Sequence, residues 1–251
     1  RGLAALGALA GADIPALVFA ADAQSEAAAR RRADPALAEP LAVILGVAAA
    51  ELALSWGVVP SALAGAAAGE TAAAVVAGVL DLEAAVNLAH FHGRRAATTD
   101  PTARRVLGTE LRTFARGLAL QKPRLPLLSA RTGAPLTAAQ ATSAETWLDT
   151  APDDSRHAKA LASLAARPDR AFLVLGPDPD LAARLRAAGI ADDRIVDLLA
   201  PVESDLAGDV HFVAALARLH GLGIDVDWDQ FWAGARRQRL PLPGTAFQRA
   251  R

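Results

Sequence analysis

The 251-residue chain contains no cysteine, methionine or tyrosine, and aromatic residues make up only 4% of it. Without thiols, disulfides and thiolate metal sites are excluded, and the redox compartment leaves no mark on the sequence. Neither sign of charge dominates: 26 basic residues face 27 acidic ones, a net charge of −1. No global field therefore draws the chain to nucleic acid or to an anionic membrane, and neither is expected as a partner. The run Arg30-Arg31-Arg32 reads as a solvated helix end. No long uninterrupted apolar run occurs either. The stretch from Leu41 to Ala68 is broken by Glu51, Pro60 and several glycines, so it reads as buried helix, loop and strand rather than a membrane span. No targeting segment is visible, and a cytoplasmic location is expected.

What is present is alanine, which dominates a hydrophobic content of 53% and signals helices. The length suffices for one domain with a full core. Helical composition runs over residues 15–33 and 40–55, with Pro40 suited to a first turn and Gly57 to a stop. Residues 61–65 read as a short buried strand leading into a helix over 69–78. Another helix starts at Asp81, a suitable N-cap. Residues 102–119 are helical, with Val106, Leu107, Leu111 and Phe114 spaced for one face. A strand at 126–129, a turn at 132–135 and a strand at 171–175 follow. The helix at 181–188 is closed by Gly189, and that at 210–220 by Gly221. Strands alternating with helices predict an α/β domain with a mainly parallel sheet.

The stretch Trp56-Gly57-Val58-Val59-Pro60 followed by Gly65-Ala66-Ala67-Ala68-Gly69-Glu70 resembles the W-G-V-x-P … G-H-S-x-G-E segment of the acyltransferase domains of modular polyketide synthases. Further landmarks agree in order. Residues 77–83 (AGVLDLE) resemble A-G-V-L-S-L-E, and residues 126–133 (PLLSARTG) resemble P-x-x-S-N-v-T-G. Trp147, then Arg156 and the helix to Leu164, resemble the family's W-v-r segment. Residues 172–177 resemble F-L-E-V-G-P. Asp227-Trp228 and residues 240–249 resemble the v-d-W … L-P-t-Y-P-F-Q-r tail. The resemblance implies a hydrolase-like three-layer α/β core. It places an acyltransferase-like domain over 1–239 and a post-acyltransferase linker over 240–251, whose Leu240, Pro241, Phe247, Gln248 and Arg249 would contact a neighbouring ketosynthase.

The departures from this pattern fall on the chemistry. Gly65, Gly69 and Glu70 keep the frame of the elbow, but Ala66 stands at the family's histidine and Ala67 at its nucleophilic serine. A methyl group cannot attack a thioester. The arginine that grips a malonyl carboxylate corresponds to His92, in Phe91-His92-Gly93, and a neutral imidazole offers no bidentate fork. The general-base histidine overlays on Thr99, and the few residues before Pro101 leave no room for the family's ferredoxin-like subdomain, which reads as deleted. No G-Q-G-x-Q motif for the oxyanion glutamine occurs, and Arg1-Gly2 falls downstream of where it would sit. Residues that act as a catalytic unit lose nearly everything when one is removed. The resemblance therefore implies an inactive, truncated acyltransferase serving as a scaffold beside the ketosynthase. One alternative is a docking module for a trans-acting acyltransferase or an acyl carrier protein. The other is an acyltransferase with a site rebuilt around His92 and Glu70.

Other polar groups read as structural. His90 and His92, two apart, point to different helix faces and form no metal pair. Asp149, Asp153 and Asp154 near Arg156 and His157 read as a polar loop and helix cap. Asp205, Asp209, Asp225, Asp227 and Asp229 read as solvated. Trp56, Trp147, Trp228 and Trp232 read as packing anchors. No cofactor or metal is expected.

Overall fold

The computed structural model describes residues 1–19, 25–149, 151, 153–176, 180–199 and 208–235. The expected linker over 240–251, with Leu240, Pro241, Phe247, Gln248, Arg249 and the 239/240 boundary, lies outside the described residues, as do Pro177 and Asp205. Helices α1 (Gly2–Ala10), α2 (Ile14–Phe19) and α3 (Glu26–Arg32) precede the long α4 (Pro35–Ser55). Strand β1 (Leu63–Gly65) runs into α5 (Ala68–Val76), followed by α6 (Leu82–Ala97) and α7 (Pro101–Arg116). Strands β2 (Leu127–Ser129) and β3 (Ala134–Pro135) lead to α8 (Ala138–Ala141), a 3-10 turn at Ala144–Trp147 and α9 (Asp154–Ala165). Strand β4 (Phe172–Val174), α10 (Leu181–Ala187), a 3-10 turn at Asp192–Arg194, β5 (Ile195–Asp197), α11 (Gly208–Gly221) and α12 (Trp228–Phe231) complete the order.

Helices dominate, and the strands form two small sheets. In the first, β1 pairs parallel with β2, and β2 antiparallel with β3; in the second, β4 pairs parallel with β5. The β2–β3 pairing departs from a uniformly parallel sheet because Gly133, at φ 71°, reverses the chain in the turn between them. The main core joins Val43 and Val47 of α4, Ala74 of α5, Leu88 of α6, Leu111 of α7, Leu127 of β2 and the fully buried Trp147. A second cluster joins the end of α4 to β5 and α11.

Helix α4 carries the largest correction. It starts at Pro35, capped by Asp34, whose side chain accepts from the Ala36 N–H at 3.0 Å. Pro40 is thus an interior residue, not a first-turn one. Its missing N–H leaves the Ala36 carbonyl without its helical partner. The His90 ring of α6 fills the gap, with Nδ1 donating to Ala36 O at 2.8 Å. One turn further along α6, Gly93 permits the crossing: a Cβ there would sit 2.0 Å from the Pro35 carbonyl oxygen. By length and composition alone, with mean hydropathy 1.9, α4 could cross a membrane. Here it packs against α1, α5 and α6.

Other expectations shift locally. The helix expected over 15–33 divides into α2 and α3, because Ser25 adopts an extended conformation and caps α3 through the Ala28 N–H at 3.2 Å. Gly57 does end α4's exit, at φ 81°. Gly221 remains helical, and the left-handed residue after α11 is Gly223 at φ 83°. On α7, Leu107 and Leu111 are buried and Phe114 half-buried, but Val106 points to solvent. Asp81 caps α6 as expected, accepting from the Ala84 N–H at 2.7 Å.

Candidate functional site

The elbow between β1 and α5 is built by backbone geometry. Register sets Gly65 opposite Ser129, which brings the end of β2 beside the start of α5. A Cβ on Gly65 would lie 2.3 Å from the Gly69 carbonyl carbon and oxygen, so only glycine fits there. Gly69 meets no such restriction on its own account. Ala67 has φ 49° and ψ −122°, and it is the one non-glycine residue with positive φ among those described. This is the strained strand-to-helix conformation in which a nucleophile elbow presents its side chain. The side chain presented here is a methyl group.

Two carboxyls flank the elbow. Glu70 is only 2% exposed, and neither carboxylate oxygen completes a hydrogen bond. Burial pushes its pKa up. The Ser129 hydroxyl, the Arg131 charge and the Ala130 N–H lie near enough to pull it partly back, although neither the hydroxyl nor the amide reaches hydrogen-bonding geometry. Ser129 Oγ itself accepts from the Arg131 N–H at 3.2 Å. Glu39 is half-buried on α4: burial raises its pKa and the nearby Ala68 N–H opposes the rise. In a hydrolase elbow, the amide following the nucleophile position helps to stabilise the oxyanion. Nothing in the sequence around Glu39 signalled this neighbour, since the approach depends on how α4 crosses α5.

His92 lies on α6 with its Nε2 donating to the Trp147 carbonyl at 3.0 Å. Burial pushes its pKa down, ahead of the opposing effect of that hydrogen bond. Trp147 is itself fixed by Nε1 donating to Ala141 O at 3.0 Å. Thr99 is exposed, in the link Thr98-Thr99-Asp100 between α6 and α7. Arg131 acts electrostatically on both Glu70 and His92, but its guanidinium donates to Thr146 O at 2.6 Å.

The remaining polar residues serve helix ends and loops. Asp153 caps α9 through the Arg156 N–H at 2.9 Å, and Asp149 accepts from the Ala151 N–H at 3.0 Å. Asp227 caps α12 through the Gln230 N–H at 2.8 Å, and its own N–H donates to Trp56 O at 2.8 Å. Trp56 in turn meets Phe231 and Phe212 edge-on, at 5.2 and 6.2 Å between ring centroids. The Trp56-Gly57 and Asp227-Trp228 pairs, far apart in sequence, are thus one joint. The role of His90 escaped the sequence, yet a signal existed: a proline inside a helix frees a carbonyl that a neighbouring donor must satisfy.

No protein-family profile matches the chain. Its sequence relatives are polyketide synthase proteins. The spectinabilin polyketide synthase system protein NorC of Streptomyces orinoci is 37% identical over 222 residues, 87% of this chain and 9% of that protein. Polyketide synthase GfsA of Streptomyces halstedii is 33% identical over 135 residues, 54% of this chain and 2% of that protein. The chain therefore spans a small part of the curated relatives it matches. Among solved structures, the acyltransferase domain of ZmaA superposes with a TM-score of 0.81 at 20% identity, covering 96% of this chain and 72% of that domain. The acyltransferase domain from the second module of the salinomycin polyketide synthase gives 0.74 at 22% identity, covering 97% and 71%. The chain is homologous to polyketide synthase proteins and has the fold of their acyltransferase domains.

Proposed function

We propose that the chain is a catalytically inactive, truncated acyltransferase domain of a polyketide synthase, retained as a structural scaffold beside the ketosynthase. The observation that carries this reading is Ala67, a methyl group held in the strained conformation of a nucleophile elbow. Covalent acyl transfer needs an activated nucleophile and a base within hydrogen-bond reach. The residue overlaid on the base, Thr99, is a solvent-exposed hydroxyl in a short link, where a subdomain reads as cut out. This reading carries with it a cytoplasmic location and a ketosynthase partner.

The rebuilt-enzyme reading asks for titratable groups converging on an accessible pocket. Glu70 is sealed from solvent and the Nε2 of His92 is spent on a backbone carbonyl, so neither supports it. The docking-module reading asks for an apolar patch on the trimmed face. On α7 the large exposed apolar residue is Val106, set among arginines. The scaffold reading is tested by size-exclusion chromatography of the chain with the ketosynthase domain of its synthase. Co-elution that is lost in the Leu240→Ser/Phe247→Ser variant is expected. Independent elution of the unaltered chain and the ketosynthase contradicts the scaffold.

A further inference from the structure

The second half of α6 and all of α7 concentrate positive charge. Residues 94–116 contain Arg94, Arg95, Arg104, Arg105, Arg112 and Arg116 against Asp100 and Glu110, whereas the whole chain carries −1. Two clefts flank α7. One, of about 510 Å³, mixes both signs: Asp34, Arg94 and Glu110 are its charged lining. The other, of about 440 Å³, is not. Arg95, Arg104, Arg105 and Arg112 line it with a single carboxylate, Asp149, and its apolar walls are Pro101, Leu111 and Leu148.

The four guanidinium groups of this cleft are weakly engaged. Arg95 reaches Leu148 O and Arg112 reaches Thr109 Oγ1, each at 3.5 Å. None of the four makes an ion pair among the described residues. Asp149 already accepts from the Ala151 N–H. A solvated helix surface ordinarily intersperses both signs, as the opposite cleft does. Guanidinium forks match phosphate oxygens in geometry and remain charged at any working pH. The cleft's size falls in the range of small-ligand sites.

We propose that this cleft between α6, α7 and the loop after Trp147 is a binding site for a phosphomonoester with a small apolar body. The phosphate meets Arg104, Arg105 and Arg112, with Arg95 at the side, and the apolar part lies against Pro101 and Leu148. The site is separate from the elbow chemistry and does not rest on the scaffold reading.

The test is calorimetric titration of the whole chain with phenyl phosphate, inorganic phosphate and phenol. Saturable binding of phenyl phosphate with Kd of about 1 mM or tighter is expected, falling as salt is added. Inorganic phosphate is expected to bind more weakly, and phenol not measurably. The Arg104→Gln/Arg105→Gln/Arg112→Gln variant should lose roughly a hundredfold in affinity, whereas Arg116→Gln, on the same helix but outside the lining, keeps it. Circular dichroism verifies that the triple variant is folded, and the single Arg105→Gln variant, with a loss of about tenfold, serves where it is not. Absence of saturable binding overturns the proposal. So does equal binding of inorganic phosphate and phenyl phosphate, or equal weakening by Arg116→Gln, which would reduce the effect to diffuse charge.

Discussion

At the residue scale, Ala67 keeps a backbone conformation without the side chain that uses it. A non-glycine residue at φ 49°, ψ −122° stores of order 1–3 kcal/mol of strain. Ala67→Gly relieves it at some entropic cost, and a net gain of about 1 kcal/mol is expected, read as a Tm rise of about 2–4 °C. Gly65→Ala should do the reverse, losing more than about 3 kcal/mol because its Cβ collides with backbone at 2.3 Å. Gly69→Ala, with open space at its Cβ, should change stability by less than about 1 kcal/mol in denaturant melts. Glu70 adds a pH signature. Its native pKa is raised by burial above the ordinary 4.5, so the native state holds the proton more tightly than the unfolded one. Its stabilising contribution is complete below 4.5 and is lost as pH rises through the native value. Glu70→Gln should therefore match the unaltered chain at low pH and exceed it by roughly 1–3 kcal/mol at neutral pH, measured by urea unfolding across the range. His92 runs the other way. Burial lowers its native pKa, so its contribution is present above the ordinary 6.5 and fades as pH falls through the lowered value.

At the element scale, the junction of α4 and α6 turns on a substitution of donors. Pro40 withholds an N–H from Ala36 O, and His90 supplies one. His90→Ala alone should cost about 1–3 kcal/mol through an unsatisfied carbonyl. In a Pro40→Ala background, which restores the helical donor, the same change should cost about 1 kcal/mol less. Additive effects in that double-mutant cycle contradict the assignment. This junction also marks what the sequence could disclose. Caps such as Asp81, the left-handed Gly57 and Gly189, and the order of strands and helices are local chemistry, and they were readable from it. The true start of α4 was obscured because Pro35 and Pro40 both suit a first turn. The division at Ser25 was obscured because alanine-rich composition runs on both sides of it. The tight turn from β1 into α5 was signalled by Gly65, where only glycine fits. The carboxyl of Glu39 at the Ala68 amide and the occupied His92 ring were not, since they follow from helix crossings and a long-range carbonyl.

At the scale of the whole molecule, an acyltransferase fold is preserved over 96% of the chain while the elbow offers no nucleophile. The core runs from α4 to Trp147, and the Trp56–Asp227 joint ties the start of the elbow segment to α12. The central claim, that this shape has outlived its chemistry, is tested by acyl loading. The chain and its Ala67→Ser variant are incubated with malonyl-, methylmalonyl- and acetyl-CoA and followed by intact-mass spectrometry. No covalent adduct is expected on either protein, because the residue overlaid on the base, Thr99, is a solvent-exposed hydroxyl. A stable acyl adduct or turnover on the unaltered chain contradicts it and requires a nucleophile other than residue 67.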